Sequence, residues 1–147
     1  MTKEVLISIC GLQFETGEDE NRIETITAGD YYQKNNHHYV VFDEIMDGTE
    51  KPTRNILRFN GQELQITRHG VVNVHMIFEE KKKNLTTYTT PYGTIQIGIE
   101  TDEIHLAEEE KQLHLNVNYA LEINYEHLAD CTIDMDIRPR KESGFTI

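Results

Sequence analysis

From Leu113 to Ile123 the chain reads L-H-L-N-V-N-Y-A-L-E-I, an unbroken alternation. Leu113, Leu115, Val117, Tyr119, Leu121 and Ile123 fall on one side; His114, Asn116, Asn118, Ala120 and Glu122 fall on the other. Successive side chains of a strand point to opposite faces, so this segment is a strand with one buried and one wet face. The same period recurs along the chain, and no segment of comparable length carries the 3.6-residue period of a helix. The pattern predicts strands at Val5–Phe14, Ile23–Ala28 continuing through Tyr31-Tyr32, His38–Ile45, Thr53–Phe59, Glu63–Thr67, Val71–Phe78, Leu85–Thr90, Thr94–Leu106, Gln112–Tyr125 and Thr132–Arg138. Turn signals separate them: Glu18–Asn21, Gly29-Asp30, Asn35-Asn36, Asp47-Gly48 with Pro52, and Thr90-Pro91-Tyr92-Gly93. Gly11, inside the first strand, signals a bulge or bend.

Three hairpins follow from turn chemistry. Asn60-Gly61 is the favoured pair for a type I′ turn and sets Arg58 opposite Glu63 and Leu57 opposite Leu64. That Arg58–Glu63 pair, on the exposed face, is worth only ~0.2–1 kcal/mol. A three-residue loop Arg68-His69-Gly70 sets Ile66 against Val72 and Leu64 against Val74, with Gly70 supplying a left-handed φ. The acidic loop Glu108–Lys111 sets Leu106 against Leu113, and so His105 against His114. Consecutive hairpins make a meander, and closure removes its unpaired edges. The expected fold is therefore all-β: a mostly meander, antiparallel β-barrel of about eight to ten strands, one domain over residues 1–147.

Composition narrows the function classes. A chain of 147 residues is large enough to bury a core without disulfides or a metal. Its two cysteines, Cys10 and Cys131, each sit in an expected strand. They read as free thiols of a cytoplasmic protein, with a single bridge between the terminal strands as the alternative. The apolar run after Lys3 is short, runs into an acidic stretch and lacks a cleavage site, so it reads as a strand and not a leader. No stretch reaches the ~18 apolar residues of a membrane span. The net charge of −12 opposes nucleic acid and anionic membrane as partners. The charge is uneven: residues 51–83 carry 7 basic and 3 acidic side chains, while the flanks are strongly acidic. Lys81-Lys82-Lys83 reads as a solvated loop tip within that basic third.

Three stretches then resemble a known family. They are G-D-Y-Y-Q-K-N-N-H-H-Y-V-V-F-D-E from Gly29 to Glu44; L-R-F, I-T-R-H-G and M-I-F between Leu57 and Phe78; and Y-T-T-P-Y-G-T-I-Q-I-G-I-E-T from Tyr88 to Thr101 with the alternating strand that follows. Together they are similar to the YwiB-like family of Gram-positive bacterial proteins, a family of unknown function, over about residues 3–137. The resemblance implies a calycin-like barrel, the architecture of lipocalins. It implies no reaction, cofactor or catalytic residue, and fold alone does not fix function.

The residues themselves offer few sites. Arg54 and Arg58 share a face with Glu63 and Thr67, and Arg68 sits beside the Gly70 loop; guanidinium groups there suit a carboxylate or phosphate. The competing reading is a surface ion-pair network. Tyr119 lies on the apolar face, where its hydroxyl needs a partner, so it either lines a cavity or completes the core. His105 and His114, with Glu103 nearby, are the best metal candidate, but zinc wants three or four ligands and this spacing argues only two, so no metal or cofactor is expected. His37-His38 reads as turn and surface, since neighbouring strand residues point apart. No Ser-His-Asp order, G-x-S-x-G, P-loop, dinucleotide fingerprint or H-E-x-x-H occurs, and no spacing singles out a carboxylate pair, so Arg54, Arg58, Arg68 and His75 are the best candidates for an enzyme. Two readings stand nearly level. One is a cytoplasmic barrel that binds a small, largely apolar or amphipathic ligand through Arg54, Arg58, Arg68 and Tyr119. The other is a filled barrel that acts through its surface, as a protein-interaction module or a homodimer.

Overall fold

In the computed structural model, which describes residues 3–11, 24–45, 52–70, 73–90 and 92–140, the alternation folds into ten antiparallel strands of one sheet. They are β1 (Glu4–Cys10), β2 (Glu24–Lys34), β3 (His37–Ile45), β4 (Pro52–Phe59), β5 (Glu63–His69), β6 (Val74–Glu79), β7 (Lys82–Thr90), β8 (Gly93–Glu109), β9 (Gln112–Ile123) and β10 (Glu126–Pro139). The order across the sheet is β6-β5-β4-β3-β2-β1-β10-β9-β8-β7, so every ladder but one joins consecutive strands, and β1 pairs with β10. The sheet rolls into a nearly closed barrel, with β6 lying against β7 and β8. Among the described residues no helix is long and apolar enough to cross a membrane.

The inner face carries the core. Val5 and Ile7 on β1, Leu57 and Phe59 on β4, Leu64 and Ile66 on β5, Met76 and Phe78 on β6, and Leu115 and Val117 on β9 are almost fully buried. A fully buried apolar side chain contributes about 1.5–3 kcal/mol, so this wall-to-wall packing dominates the stability of the barrel. Both cysteines are free thiols.

The two ends of the barrel differ in their connections. At one end the turns are short: Asn35-Asn36, Asn60–Gln62, Glu80-Lys81 and Glu110-Lys111. Asn35 (φ 52°) and Asn36 (φ 65°) are both left-handed, the geometry of a type I′ turn that follows the twist of the flanking strands. The opposite end receives the longer connections, including those through residues 12–23 and 46–51, so the expected turns at Glu18–Asn21 and Asp47-Gly48 lie outside the described residues.

All three expected hairpin registers need correction, and each moves by an even number of residues. Leu57 pairs with Ile66 and Arg58 with Gln65, because Asn60 does not enter a type I′ turn. Its side-chain oxygen instead accepts from the amides of Gln62 (2.8 Å) and Glu63 (3.0 Å), and its own amide donates to the Glu63 carbonyl (3.0 Å). Such an Asx turn uses the asparagine as a side-chain cap. Ile66 pairs with Met76 and Leu64 with Phe78, so the β5–β6 loop is longer than expected. Gly70 is not left-handed there; a Cβ would lie 2.3 Å from Thr53 Oγ1, and close approach is what requires glycine. Gly11, by contrast, is left-handed (φ 92°) at the end of β1, where the expected bend occurs. Leu106 pairs with Leu115, because β8 and β9 are joined by the two-residue turn Glu110-Lys111. His105 therefore lies opposite Asn116 and not His114. The expected tip at Lys81-Lys82-Lys83 is a turn at Glu80-Lys81, and Lys82 and Lys83 belong to β7.

Candidate functional site

Polar side chains on the inner face of a barrel are the informative ones, because burial there costs free energy unless a partner is found. Three such groups sit on β7, β8 and β9. Thr101 of β8 is paired directly with Tyr119 of β9, and Tyr119 with Cys131 of β10. Asn84 of β7 is on the same inner face, opposite Ile99, two residues before Thr101. Thr101 is 1% exposed and Tyr119 3% exposed. The Thr101 hydroxyl and the Asn84 side-chain nitrogen are buried without a hydrogen-bond partner among the described residues, and the buried Tyr119 hydroxyl has only the weak Cys131 thiol beside it. Leaving one such group unsatisfied costs about 1–3 kcal/mol, so the belt is a substantial local expense.

Local sequence explains how the belt forms. Tyr119 belongs to the alternating face of β9, and its ring meets Phe78 edge-on with centroids 4.9 Å apart. Thr101 turns inward immediately before a bulge, where Asp102 is the extra residue between the Thr101–Tyr119 and Glu103–Asn118 pairs. Burial pushes the Tyr119 hydroxyl well above its ordinary range, with the neighbouring Cys131 adding to the shift. Burial likewise raises the Cys131 thiol. Both groups are therefore neutral near pH 7, and a thiol is a poor hydrogen-bond partner for the tyrosine. A cleft of about 560 Å³ reaches Thr101, Tyr119 and Cys131 from the outer face of β8–β10, between Lys81, Glu100, Asp102, Asn118, Asp130 and Thr132; Asn84 lies outside its lining. A volume of that order matches small-molecule sites.

The expected arginines are not gathered around Tyr119. Arg54 faces outward on β4 and forks onto Asp43 through Nε (3.1 Å) and Nη2 (3.4 Å). That hydrogen-bonded pairing raises the Arg54 guanidinium above its ordinary value. Arg58 shares the outer face, with Nη1 4.0 Å from Glu63. Arg68 is on the opposite, inner face of its strand, paired with Asn55. Its Nη2 donates to Glu44 (2.9 Å), and the same carboxylate oxygen accepts from Asn55 (2.7 Å). Arg68 and Glu44 thus form an inward ion pair at the end with the long connections. His105 bonds Glu103 (3.1 Å), whereas His114 bonds Asp136 (2.8 Å) and lies 3.6 Å from Asp134. The corrected register separates the two histidines into different outer-face pairs. His75 bonds Thr67 (3.0 Å) on the outer face.

His38 is the residue the sequence reading misplaced. It is 5% exposed and not a surface residue. Its Nδ1 meets the Tyr31 hydroxyl (2.7 Å) and its Nε2 meets Glu108 (2.5 Å). With Glu108 ionised, Nε2 carries the proton and donates, leaving Nδ1 to accept from Tyr31. Burial, and then the Glu108 charge, raise the Tyr31 hydroxyl, which keeps it a donor. The ring also stacks near Phe59 at 5.2 Å. The signal was present in the sequence: His38, Val40 and Phe42 alternate onto one face.

Residues 7–135 match the family described as "Domain of unknown function (DUF1934)", and the chain belongs to that family. Its fold is similar to the crystal structure of the ywiB protein from Bacillus subtilis. The two share 18% sequence identity with a TM-score of 0.71, covering 92% of this chain and 89% of that one. No curated protein matches the chain.

Proposed function

We propose that this family member is a binding module: a calycin-like barrel that takes a small, amphipathic molecule against the Asn84–Thr101–Tyr119 belt. One observation carries the reading. Three polar groups are buried on one inner face without a strong partner, and two of them, Thr101 and Tyr119, border a cleft of about 560 Å³ whose rim is polar and charged. Hydroxyls, a thiol and an amide nitrogen offer donors, so the guest presents acceptor oxygens to the belt. Of the arginines, Arg68 faces inward and suits an acidic head group near the barrel end, in competition with Glu44. Arg54 and Arg58 serve only a guest on the outer face. Two free cysteines fit a reducing cytoplasm.

The test is an equilibrium titration with 8-anilinonaphthalene-1-sulfonate, an amphipathic fluorescent probe with an anionic head. The wild-type protein is expected to bind it at a single saturable site. Thr101→Val and Tyr119→Phe each weaken binding by about tenfold, the equivalent of one lost hydrogen bond. Binding of equal strength in both variants contradicts the assignment.

A further inference from the structure

Nine of the ten strand-to-strand contacts around the barrel are hydrogen-bonded ladders; the tenth, between β6 and β7, is not. These two strands are consecutive and joined by a tight turn, the connection that elsewhere in this chain makes a regular hairpin. The reason lies in the parity of the side chains. Val74, Met76 and Phe78 face inward on β6. Asn84 and Thr86 face inward on β7, because they pair with the buried Ile99 and Ile97 of β8. A two-residue turn at Glu80-Lys81 would set Ile77 opposite Asn84 and His75 opposite Thr86, an outward residue against an inward one each time. A ladder in that register would turn one strand inside out, so it does not form. A three-residue loop at Lys81-Lys82-Lys83 would have set Phe78 against Thr86 and let the faces agree. The chain turns one residue early, and the seam stays open.

What holds the seam is sparse. The Thr86 hydroxyl donates to the His75 carbonyl (2.6 Å), and Lys82 lies 3.6 Å from Glu79 beside the turn. The turn itself is pinned from outside the seam: the Lys81 amide donates to the Thr101 carbonyl (2.9 Å) and the Ile104 amide to the Glu80 carboxylate (3.1 Å). Among the described residues the seam is thus anchored at one end and held along its length by one side-chain hydrogen bond. Its β7 border carries Asn84, whose buried side-chain nitrogen has no partner among the described residues.

We propose that the β6–β7 seam is the route by which a guest reaches the Asn84–Thr101–Tyr119 belt; this rests on the binding reading above. Separating β6 from β7 breaks the Thr86–His75 bond and the exposed Lys82–Glu79 pair but no backbone ladder, whereas opening at any other position breaks a ladder of several bonds. Local opening follows the least-bonded boundary.

The test locks the seam on its outer surface. His75 and Thr87 both face outward on either side of it and lie outside the belt, so H75C/T87C places two thiols diagonally across the gap. Disulfide formation between the two introduced cysteines is verified by peptide mass. Stopped-flow mixing with 8-anilinonaphthalene-1-sulfonate is then followed for the oxidised and the reduced protein. The expected result is a fluorescence rise slowed by about tenfold or more on oxidation, restored by reductant, with the final amplitude unchanged. Equal rates in the two forms overturn the route. Absence of probe binding to the wild-type protein overturns the binding reading, and the route with it. Hydrogen exchange reports the seam without any probe: seam-directed amides of β6 and β7 exchange about tenfold faster than those of the β8–β9 ladder. Equal protection on the seam and in that ladder also overturns the proposal.

Discussion

Two clusters of polar side chains built around buried groups of this barrel differ in one respect. Tyr31, His38 and Glu108 satisfy one another, with both ring nitrogens of the histidine engaged. Asn84, Thr101 and Tyr119 do not. A satisfied network repays its desolvation and fixes the geometry of its elements, here tying β2 and β3 to the tip of the β8–β9 hairpin. An unsatisfied one is carried at a cost, and such groups mark a site whose partner comes from elsewhere. The two groups should therefore respond to substitution with opposite signs.

The largest expected effect is at the satisfied network. His38→Ala removes two hydrogen bonds and the packing against Phe59, and should lower unfolding free energy by about 2–4 kcal/mol in urea denaturation. Tyr31→Phe leaves Nδ1 of a buried imidazole without its donor, a loss of about 1–3 kcal/mol by the same measurement. An unchanged midpoint in either would mean that the network is not what holds this end of the barrel. The belt should behave in reverse. Thr101→Val keeps the shape and deletes the partnerless hydroxyl, so the ligand-free protein should gain up to ~1 kcal/mol and melt at a higher temperature. A loss of stability there would show that the hydroxyl already has a partner in the folded protein.

The smallest effect comes from a satisfied network moved to the solvent face. Burial alone would raise the Asp136 carboxyl, but bonds from His114 and Gln112 outweigh it and hold the group below its ordinary value of 3.8. A carboxyl depressed in the folded state contributes stability that is complete above its unfolded pKa and is lost as pH falls through the folded one. The contribution therefore disappears below about pH 4. Asp136→Asn should flatten the acid limb of the stability profile slightly, because the group is partly exposed and screened. An unaltered acid limb would remove Asp136 from the account.

The same contrast explains what was legible in the sequence. Alternation places the strands and sorts inward from outward residues, so the barrel and its apolar core could be read in advance. Alternation has a period of two, however, and it fixes register only up to an even shift. Leu57 pairs with Ile66 and not Leu64, Ile66 with Met76 and not Val72, and Leu106 with Leu115 and not Leu113. Each slip preserves every face and changes every partner. The loops decide the remainder, through the Asn60 side chain, the Thr53–Gly70 approach and the Glu110-Lys111 turn. His105 and His114 were paired by such a slip. His38 was readable from its alternation with Val40 and Phe42, but its neighbours at the turn concealed it. The belt was not readable, since Asn84, Thr101 and Tyr119 meet only through a register that a bulge at Asp102 adjusts.

A small molecule received by the Asn84–Thr101–Tyr119 belt should travel with the purified protein. Native mass spectrometry of gently purified protein, set against its denatured mass and against a T101V/Y119F double variant, tests it most directly. The expected result is an adduct of reproducible mass on the wild-type protein, lost on denaturation and absent from the variant. A wild-type spectrum showing the bare chain alone, or an adduct that persists on the variant, would contradict it.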